Sequence, residues 1–131
     1  MSQTLDQKRA NHAYQAVEQA IAGQGHHRGQ DKNKFGRHAK KLPIRILTAG
    51  LGPALAFIRA KRDEAPGLLA VLDDWMAQRI AVSQGQPVEL LQRVVSGNAD
   101  FLRRATDETI AYLQWLNRFA EARGITDDEQ N

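Results

Sequence analysis

The sequence predicts an all-α protein, and three observations support that class. Apolar residues recur at spacings of three and four through most of the chain, which is the period of an amphipathic helix. Strand-like alternation of apolar and polar residues appears nowhere. Glycines and prolines separate the apolar segments, as they do at helix ends. We therefore predict a compact single-domain bundle of about five to six helices with a long C-terminal helix.

The first predicted helix begins after Thr4, which forms a capping-box pattern with Gln7. Its apolar stripe comprises Leu5, Ala13, Ala16, Val17, Ala20 and Ile21. We expect this helix to end near Gly23, since glycine often follows the last helical turn. Residues 23–33 are rich in Gly, Gln and His. They are predicted to form a mobile loop that contributes nothing to the core.

The second and third predicted helices share the segment that follows this loop. The second extends from about Lys34 to Gly50. Pro43 is expected to break or kink it, because proline lacks the backbone donor that a helix interior needs. Pro53 fits the first turn of a third helix over residues 54–62, where that missing donor costs nothing.

Three further helices are predicted in the second half of the chain. Pro66 opens the fourth, and Gly85 ends that segment. Its apolar residues are Leu68, Leu69, Val71, Leu72, Trp75, Met76 and Ile80. Pro87 starts a short fifth helix that ends near Gly97. Asn98 is a suitable N-cap for a last helix of about 25 residues, about 38 Å long.

The last predicted helix is apolar on two adjacent rows. One row comprises Leu102, Ala105, Leu113, Leu116 and Ala120, and the other comprises Phe101, Tyr112, Trp115 and Phe119. An apolar arc of this width is typical of the central helix of a bundle. We interpret Trp115 and Phe119 as core residues rather than as a platform for stacking bases. Trp75 is interpreted in the same way, as a core residue or a subunit contact.

Length and composition limit the other possibilities. A chain of 131 residues is expected to form one domain, here placed at 1–124, with an acidic flexible tail at 125–131. The absence of cysteine excludes disulfides and thiolate zinc sites. No apolar run approaches the ~20 residues that span a bilayer. We therefore expect a cytoplasmic protein with no membrane partner.

Positive charge is concentrated in one part of the chain. The net charge is only +3. Between His26 and Arg45, however, there are seven Lys or Arg residues and a single acid, Asp31. Such a segment is typical of proteins that bind a phosphate backbone. A solvated helix face with a flexible basic loop would give the same pattern, and charge alone leaves both interpretations open.

No catalytic constellation can be assembled from these residues. The candidates for a metal site lie in a loop with irregular spacing, and they are His26, His27, Asp31 and His38. Asp73 and Asp74 are neighbours on a helix, so their side chains diverge. His12 is interpreted as a lone partner-facing or solvated group. We predict a protein that is not an enzyme and needs no cofactor.

Two segments resemble one known family. The first contains Lys34, Phe35 and Gly36, then Leu42 and Pro43, Gly50 and Leu51, and Leu55, Ala56 and Phe57. The second contains Thr106 and Glu108, then Leu113, Trp115 and Leu116, and Arg118, Phe119 and Ala120. Together they resemble the small, fifth subunit of the type III-B CRISPR effector, the Cmr complex, an RNA-guided system that attacks foreign RNA. Asn117 departs from the pattern, which has a basic residue there, and Ala49 replaces an Asn.

The resemblance implies a non-catalytic subunit that acts in antiviral defence. Its expected partners are the guide and target RNA, copies of itself stacked in the complex, and other Cmr subunits. Chief among these is the backbone subunit that cuts the target. The expected phosphate contacts are Lys34, Arg37, Lys40, Lys41, Arg45 and Lys61. The alternative is a small helical adaptor that binds a protein partner, with the basic segment a solvated face.

Overall fold

The helices pack around the long C-terminal helix. The computed structural model describes residues 2–61, 63 and 65–126. Within these residues there are six α-helices and one 3-10 turn, and no β-strand. They are α1 Leu5–Ala22, the 3-10 turn Gly25–His27, α2 Lys32–Ala49, α3 Leu51–Ala60, α4 Pro66–Arg79, α5 Leu90–Ser96 and α6 Ala99–Ala122. The predicted all-α class and the long C-terminal helix are confirmed.

The core lies where α1, α2 and α4 meet α6 and where α3 packs on α2. Its largest fully buried side chains are Phe35, Leu42, Leu51, Leu55, Ile58, Leu68, Leu72, Met76, Leu90, Tyr112, Leu113 and Leu116. Ala105 and Ala120 are also buried, as the first predicted row of α6 requires. Leu102 of the same row is 39% exposed, and residues 103 and 104 beside it are exposed as well. Trp75 is a core residue, whereas Trp115 is only half-buried.

Local capping fixes the ends of several helices as predicted. The Thr4 hydroxyl accepts a hydrogen bond from the Gln7 backbone at 3.1 Å, and the Gln7 side chain accepts one from the Thr4 backbone at 2.8 Å. The Asn98 side chain accepts a hydrogen bond from the backbone N–H of Phe101 at 2.9 Å. Each cap satisfies a donor that the helix itself leaves unpaired.

The α2 helix is continuous through Pro43, so of the predicted break or kink the break is absent. In a regular helix the N–H at position 43 would donate to the carbonyl of Ala39, and proline leaves that carbonyl unpaired. The side-chain amide of Asn117 donates to this carbonyl at 3.0 Å. Asn117, the residue that departs from the family pattern, therefore compensates for the proline from α6.

The segment 23–33 was expected to contribute nothing to the core, and that expectation is wrong because the segment contains a buried residue. His27, in the 3-10 turn, is only 4% exposed and packs edge-on against Phe35 with ring centroids 5.0 Å apart. A Cβ atom at Gly67 would lie 2.3 Å from Nδ1 of His27. The glycine thus lets the turn lie directly on α4. α2 begins at Lys32, after the Asp31 side chain caps it, slightly before the predicted start.

The packed domain extends past the predicted boundary at residue 124. Ile125 and Thr126 are 1% and 6% exposed, respectively. A Cβ atom at Gly36 would lie 1.9 Å from the backbone oxygen of Ile125, so only glycine lets the chain end lie against α2. The acids on which the flexible-tail prediction depends, Asp127 to Glu129, lie outside the described residues.

The boundary between α4 and α5 also differs from the prediction. α4 ends at Arg79, before Gly85, and α5 begins at Leu90, after Pro87. The Arg93 guanidinium donates to the carbonyl of Ile80 at 2.7 Å, which satisfies the end of α4. The Asp73 carboxylate accepts a hydrogen bond from the backbone N–H of Leu90 at 2.9 Å, and so caps α5 from a neighbouring helix.

Candidate nucleic-acid interface

Four of the predicted contact residues form a row along α2. Lys34, Arg37, Lys41 and Arg45 are spaced by three or four residues, so a continuous helix places them on one face. We call these four the basic row. Because the helix rises 1.5 Å per residue, the row is about 17 Å long. The absence of a break at Pro43 keeps Arg45 in register with the other three.

The opposite face of α2 is buried, which turns the basic row outward. Phe35, Gly36, Ala39, Leu42 and Ile46 are the buried residues of this helix. They pack toward α3 and α6. Lys34 and Lys41 are exposed, whereas Arg37 and Arg45 are half-buried. The row is therefore accessible, and its backbone is held firmly by the core beneath it.

The α3 helix extends this basic surface through an aromatic ring. The guanidinium carbon of Arg45 lies 4.1 Å from the centroid of the Phe57 ring, and Nζ of Lys61 lies 5.7 Å from it. Phe57 is 39% exposed, and Lys61 is exposed. We call Arg45, Phe57 and Lys61 the Phe57 corner. Two predicted contacts from different helices thus meet at a residue that the charge pattern did not single out.

Most cations of this surface have no acid partner in the described part of the chain. There, no ion pair involves Lys34, Lys40, Lys41, Arg45 or Lys61. Elsewhere arginines are paired with carboxylates, and these are Arg9, Arg59, Arg79, Arg103, Arg118 and Arg123. Positive potential therefore concentrates on the α2–α3 face, where it can attract a polyanion.

Lys40 lies beside the basic row rather than in it. On the helix it is offset by about a quarter turn or more, toward Ile44 and Leu47. Those two apolar side chains are 60% and 69% exposed. The α2 surface is therefore basic along one strip and apolar along the next.

A buried carboxylate that sequence reasoning missed lies on the other side of the molecule. Glu108 is 5% exposed and accepts two hydrogen bonds from Arg9, at 2.7 and 2.9 Å. It also accepts one from Trp75 at 3.0 Å and one from Arg79 at 3.2 Å. We call these four residues the Glu108 cluster. Burial acts to raise the pKa of Glu108, but the hydrogen bonds and charges of its partners outweigh burial and lower it.

His12 is half-buried and hydrogen-bonded to two side chains, so its interpretation as a lone residue is wrong. Its ring nitrogens lie 2.6 Å from the hydroxyl of Tyr112 and 2.7 Å from a carboxylate oxygen of Asp74. Burial raises the pKa of the Tyr112 hydroxyl. Asp73 points elsewhere, to Leu90, as expected for adjacent residues on a helix. These groups join α1, α4 and α6.

A cleft of about 810 Å³ lies beside His12, between α1, the 3-10 turn and α4. His26 lines it, and so does one edge of His27. Burial lowers the pKa of His27, and the charge of His26 adds to this effect. No group of three or more His, Asp or Glu side chains within the described residues could hold a metal ion. Across the same residues, no helix has the length and apolarity needed to cross a membrane.

Comparison with known proteins assigns the chain to a family. The model of the family described as CRISPR-associated protein (Cas_Cmr5) matches residues 5–123. The chain belongs to the Cmr5 family. This Cmr5-family chain is 32% identical over 123 residues to the CRISPR system Cmr subunit Cmr5 of Thermus thermophilus, covering 91% of this chain and 95% of that protein.

The fold agrees with this Cmr5-family membership. The crystal structure of a CRISPR-associated Cmr5 family protein from Thermus thermophilus matches with a TM-score of 0.68 at 29% identity. The match covers 92% of this chain and 97% of that one. The resemblance carried by the two sequence segments is confirmed.

Most residues that carry the Cmr5 pattern support the fold. Leu42 and Leu113 are core residues, Gly36 permits a backbone contact, and Glu108 anchors its cluster. Phe57 differs from them because its side chain is large, apolar and half-exposed in the middle of unpaired positive charge. Among these large apolar residues of the pattern, Phe57 is the one whose environment suggests binding rather than packing.

Proposed function

We propose that this protein is a non-catalytic small subunit of a type III-B CRISPR ribonucleoprotein that binds the backbone of guide or target RNA. The observation that carries the proposal is the basic row of α2 and its continuation through Phe57 to Lys61. The basic row is about 17 Å long, which corresponds to several nucleotide steps along an RNA strand. Lys and Arg side chains in this arrangement contact phosphates and carry no sequence information. Guide–target pairing supplies the specificity.

The proposed partners also include other Cmr subunits, especially the backbone subunit, and stacked copies of this chain. Family membership supports this part of the proposal. Ile44 and Leu47, exposed beside the basic row, offer apolar area for a protein contact. On this proposal the protein acts in the cytoplasm, in antiviral defence against foreign RNA.

A non-catalytic role is supported by how the acids and histidines are used. Glu108 and Asp73 hold helices together through hydrogen bonds. His12 and His27 are likewise packed into the domain. A general base must instead reach a substrate proton from an accessible position.

The test is RNA binding as a function of salt. Four or five phosphate contacts predict a slope of about −3 when log affinity is plotted against log salt concentration. This corresponds to about a 60-fold loss of affinity when salt rises from about 50 to 200 mM. Replacing Lys34, Lys41 and Lys61 together by Ala should reduce the magnitude of the slope by about 2. It should weaken the binding of unrelated RNA sequences equally. Circular dichroism should show unchanged helix content.

The matched control removes three exposed cations elsewhere, Lys8, Arg103 and Arg118. This variant has the same net charge as the first and should keep nearly all of the affinity. Equal losses in both triple variants would show that net charge, rather than the α2–α3 face, determines binding. Binding that does not respond to salt would overturn the proposal.

A protein adaptor is the second candidate, and the exposed Ile44 and Leu47 favour it. The adaptor function predicts that the protein retains no RNA even at low salt. It also predicts that Leu47→Asp no longer binds a partner subunit. Co-purification with the backbone subunit and guide RNA separates the two candidates.

A further inference from the structure

We propose that the Phe57 corner stacks one unpaired base of the bound RNA, so that this surface prefers single-stranded RNA to duplex. The inference rests on the proposed function, because it places the base at the end of the basic row. It adds a second kind of contact, between planar groups, to the phosphate contacts of the row. The basis is the geometry of three side chains from α2 and α3.

The first observation is the layered arrangement of Arg45 and Phe57. A guanidinium carbon 4.1 Å from a ring centroid lies at stacking distance over the face of the ring. The contact with Phe57 holds the half-buried guanidinium against the ring. A planar cation held in this way can accept a nucleobase on its outer face, as arginine does in many RNA complexes.

The second observation is that the ring, rather than an acid, holds Arg45. Among the described residues Arg45 has no ion pair, and its buried Nη1 has no hydrogen-bond acceptor. Arg93, which also lies over a ring, at 4.9 Å from the centroid of Phe101, donates to the carbonyl of Ile80 instead. The Arg93 pair is therefore part of the fold, whereas no hydrogen-bond acceptor among the described residues binds Arg45 Nη1.

The third observation is the combination of exposure and charge around Phe57. The ring is 39% exposed, with Nζ of Lys61 5.7 Å from its centroid and the basic row leading to it. Tyr14 is more exposed, at 48%, but it packs edge-on against Phe119, and the nearby Arg123 is paired with Glu18. Exposed aromatic rings beside cationic side chains are typical of single-strand binding surfaces.

The stacking contact makes a prediction that phosphate contacts do not. A base in a duplex is already stacked and paired, so it is not available to Arg45 and Phe57. Phosphates are available in both forms. Removing the ring should therefore weaken the binding of single-stranded RNA and leave duplex binding unchanged. The salt slope should not change, because no charge is lost.

The experiment measures the affinity of the full chain and of Phe57→Leu for a single-stranded oligoadenylate and for a blunt RNA duplex of equal length. We expect Phe57→Leu to bind the single strand about tenfold more weakly at an unchanged salt slope. Duplex affinity should stay within about twofold. Phe57→Trp should restore single-strand binding, and Tyr14→Leu, the matched control, should behave as the parent protein. Thermal unfolding of each variant confirms folding.

A spectroscopic probe reports stacking directly. A single 2-aminopurine in the oligonucleotide should be quenched by the parent protein and less so by Phe57→Leu. If Phe57→Leu lost equal affinity for single strand and duplex, or lost none, the stacking site would be overturned. Salt-dependent binding, and hence the proposed function, would remain intact. Loss of partner-subunit binding without loss of RNA binding would assign the corner to a protein interface. Absence of salt-dependent binding by the parent protein would overturn both proposals.

Discussion

Glu108 illustrates how a single charged residue is made compatible with a core. A buried carboxylate loses its hydration, and this loss is offset only when donors surround it. Here Arg9, Arg79 and Trp75 supply those donors from α1 and α4. Removing the charge would leave two guanidinium groups beside a neutral acceptor. The cluster therefore contributes little net stability as a whole but makes each member costly to replace.

Glu108→Gln should lower the free energy of unfolding by about 3 kcal/mol at neutral pH. The folded-state pKa of Glu108 lies below its ordinary value of 4.5, so its contribution is complete above that value and is lost as pH falls through the folded pKa. Urea unfolding between neutral pH and about pH 3 should show a shallower acid decline in the variant than in the parent. Glu121→Gln, at an exposed ion pair with Arg118, is the control and should cost less than about 1 kcal/mol. An acid decline that is unchanged in Glu108→Gln would contradict this role.

The sequence predicts individual buried residues well and their polar partners poorly. Ala13, Leu113 and Leu116 follow from helical periodicity, which is a local property. His12 finds its partners 62 and 100 residues away, at Asp74 and Tyr112. Periodicity carries no information about such pairs. The basic row was predictable because its spacing is local, whereas the role of Phe57 required the contact between α2 and α3.

At the scale of the element, the locally capped starts of α1 and α6 were predicted, whereas the helix ends that are capped from another helix were not. The caps at the starts of α1 and α6 lie within three residues of sequence. The end of α4 depends on Arg93, and the start of α5 depends on Asp73. Each of these residues belongs to a different helix from the end that it satisfies.

Asp73→Ala should destabilise α5 selectively, because the N–H of Leu90 loses its acceptor. The loss of a cap costs about 1 kcal/mol, which corresponds to about fivefold faster local opening. Hydrogen exchange of the α5 amides is the measurement, with α6 amides as the internal reference. Asp100→Ala, which removes an exposed acid from the first turn of α6, should leave α5 exchange unchanged. Uniform acceleration across all helices in Asp73→Ala would show a global effect instead of a cap.

At the scale of the whole molecule, the two faces of the domain use charge differently. Around α1, α4 and α6 most of the arginines are paired with carboxylates, and Arg9 and Arg79 serve the fold in this way. Around α2 and α3 the described cations Lys34, Lys41 and Lys61 are unpaired. A net charge of +3 hides this division, since most of the paired acids lie on the first face. The separation of faces suits a subunit that positions RNA.

On the proposed function, the protein positions RNA for cleavage by another subunit and cleaves none itself. Target cleavage by the assembled complex, with divalent metal supplied, should fall when this chain is omitted and recover on adding it back, because positioning contributes much of the rate. Replacing Asp74 or His26 singly should leave cleavage unchanged. Metal-dependent cleavage by the purified chain alone, persisting through a second purification and abolished by one substitution, would contradict a non-catalytic role.

The position of α6 has a consequence for the order of events during synthesis. The last long helix supplies the buried side chains against which α1 and α2 pack, and Ile125 covers Gly36 from still further along the chain. Earlier helices therefore leave the ribosome with their apolar faces uncovered. Domains ordinarily fold as units during translation. In this topology the unit closes only after α6 and Ile125 have been synthesised, so the basic row is held against a complete core only from that point on.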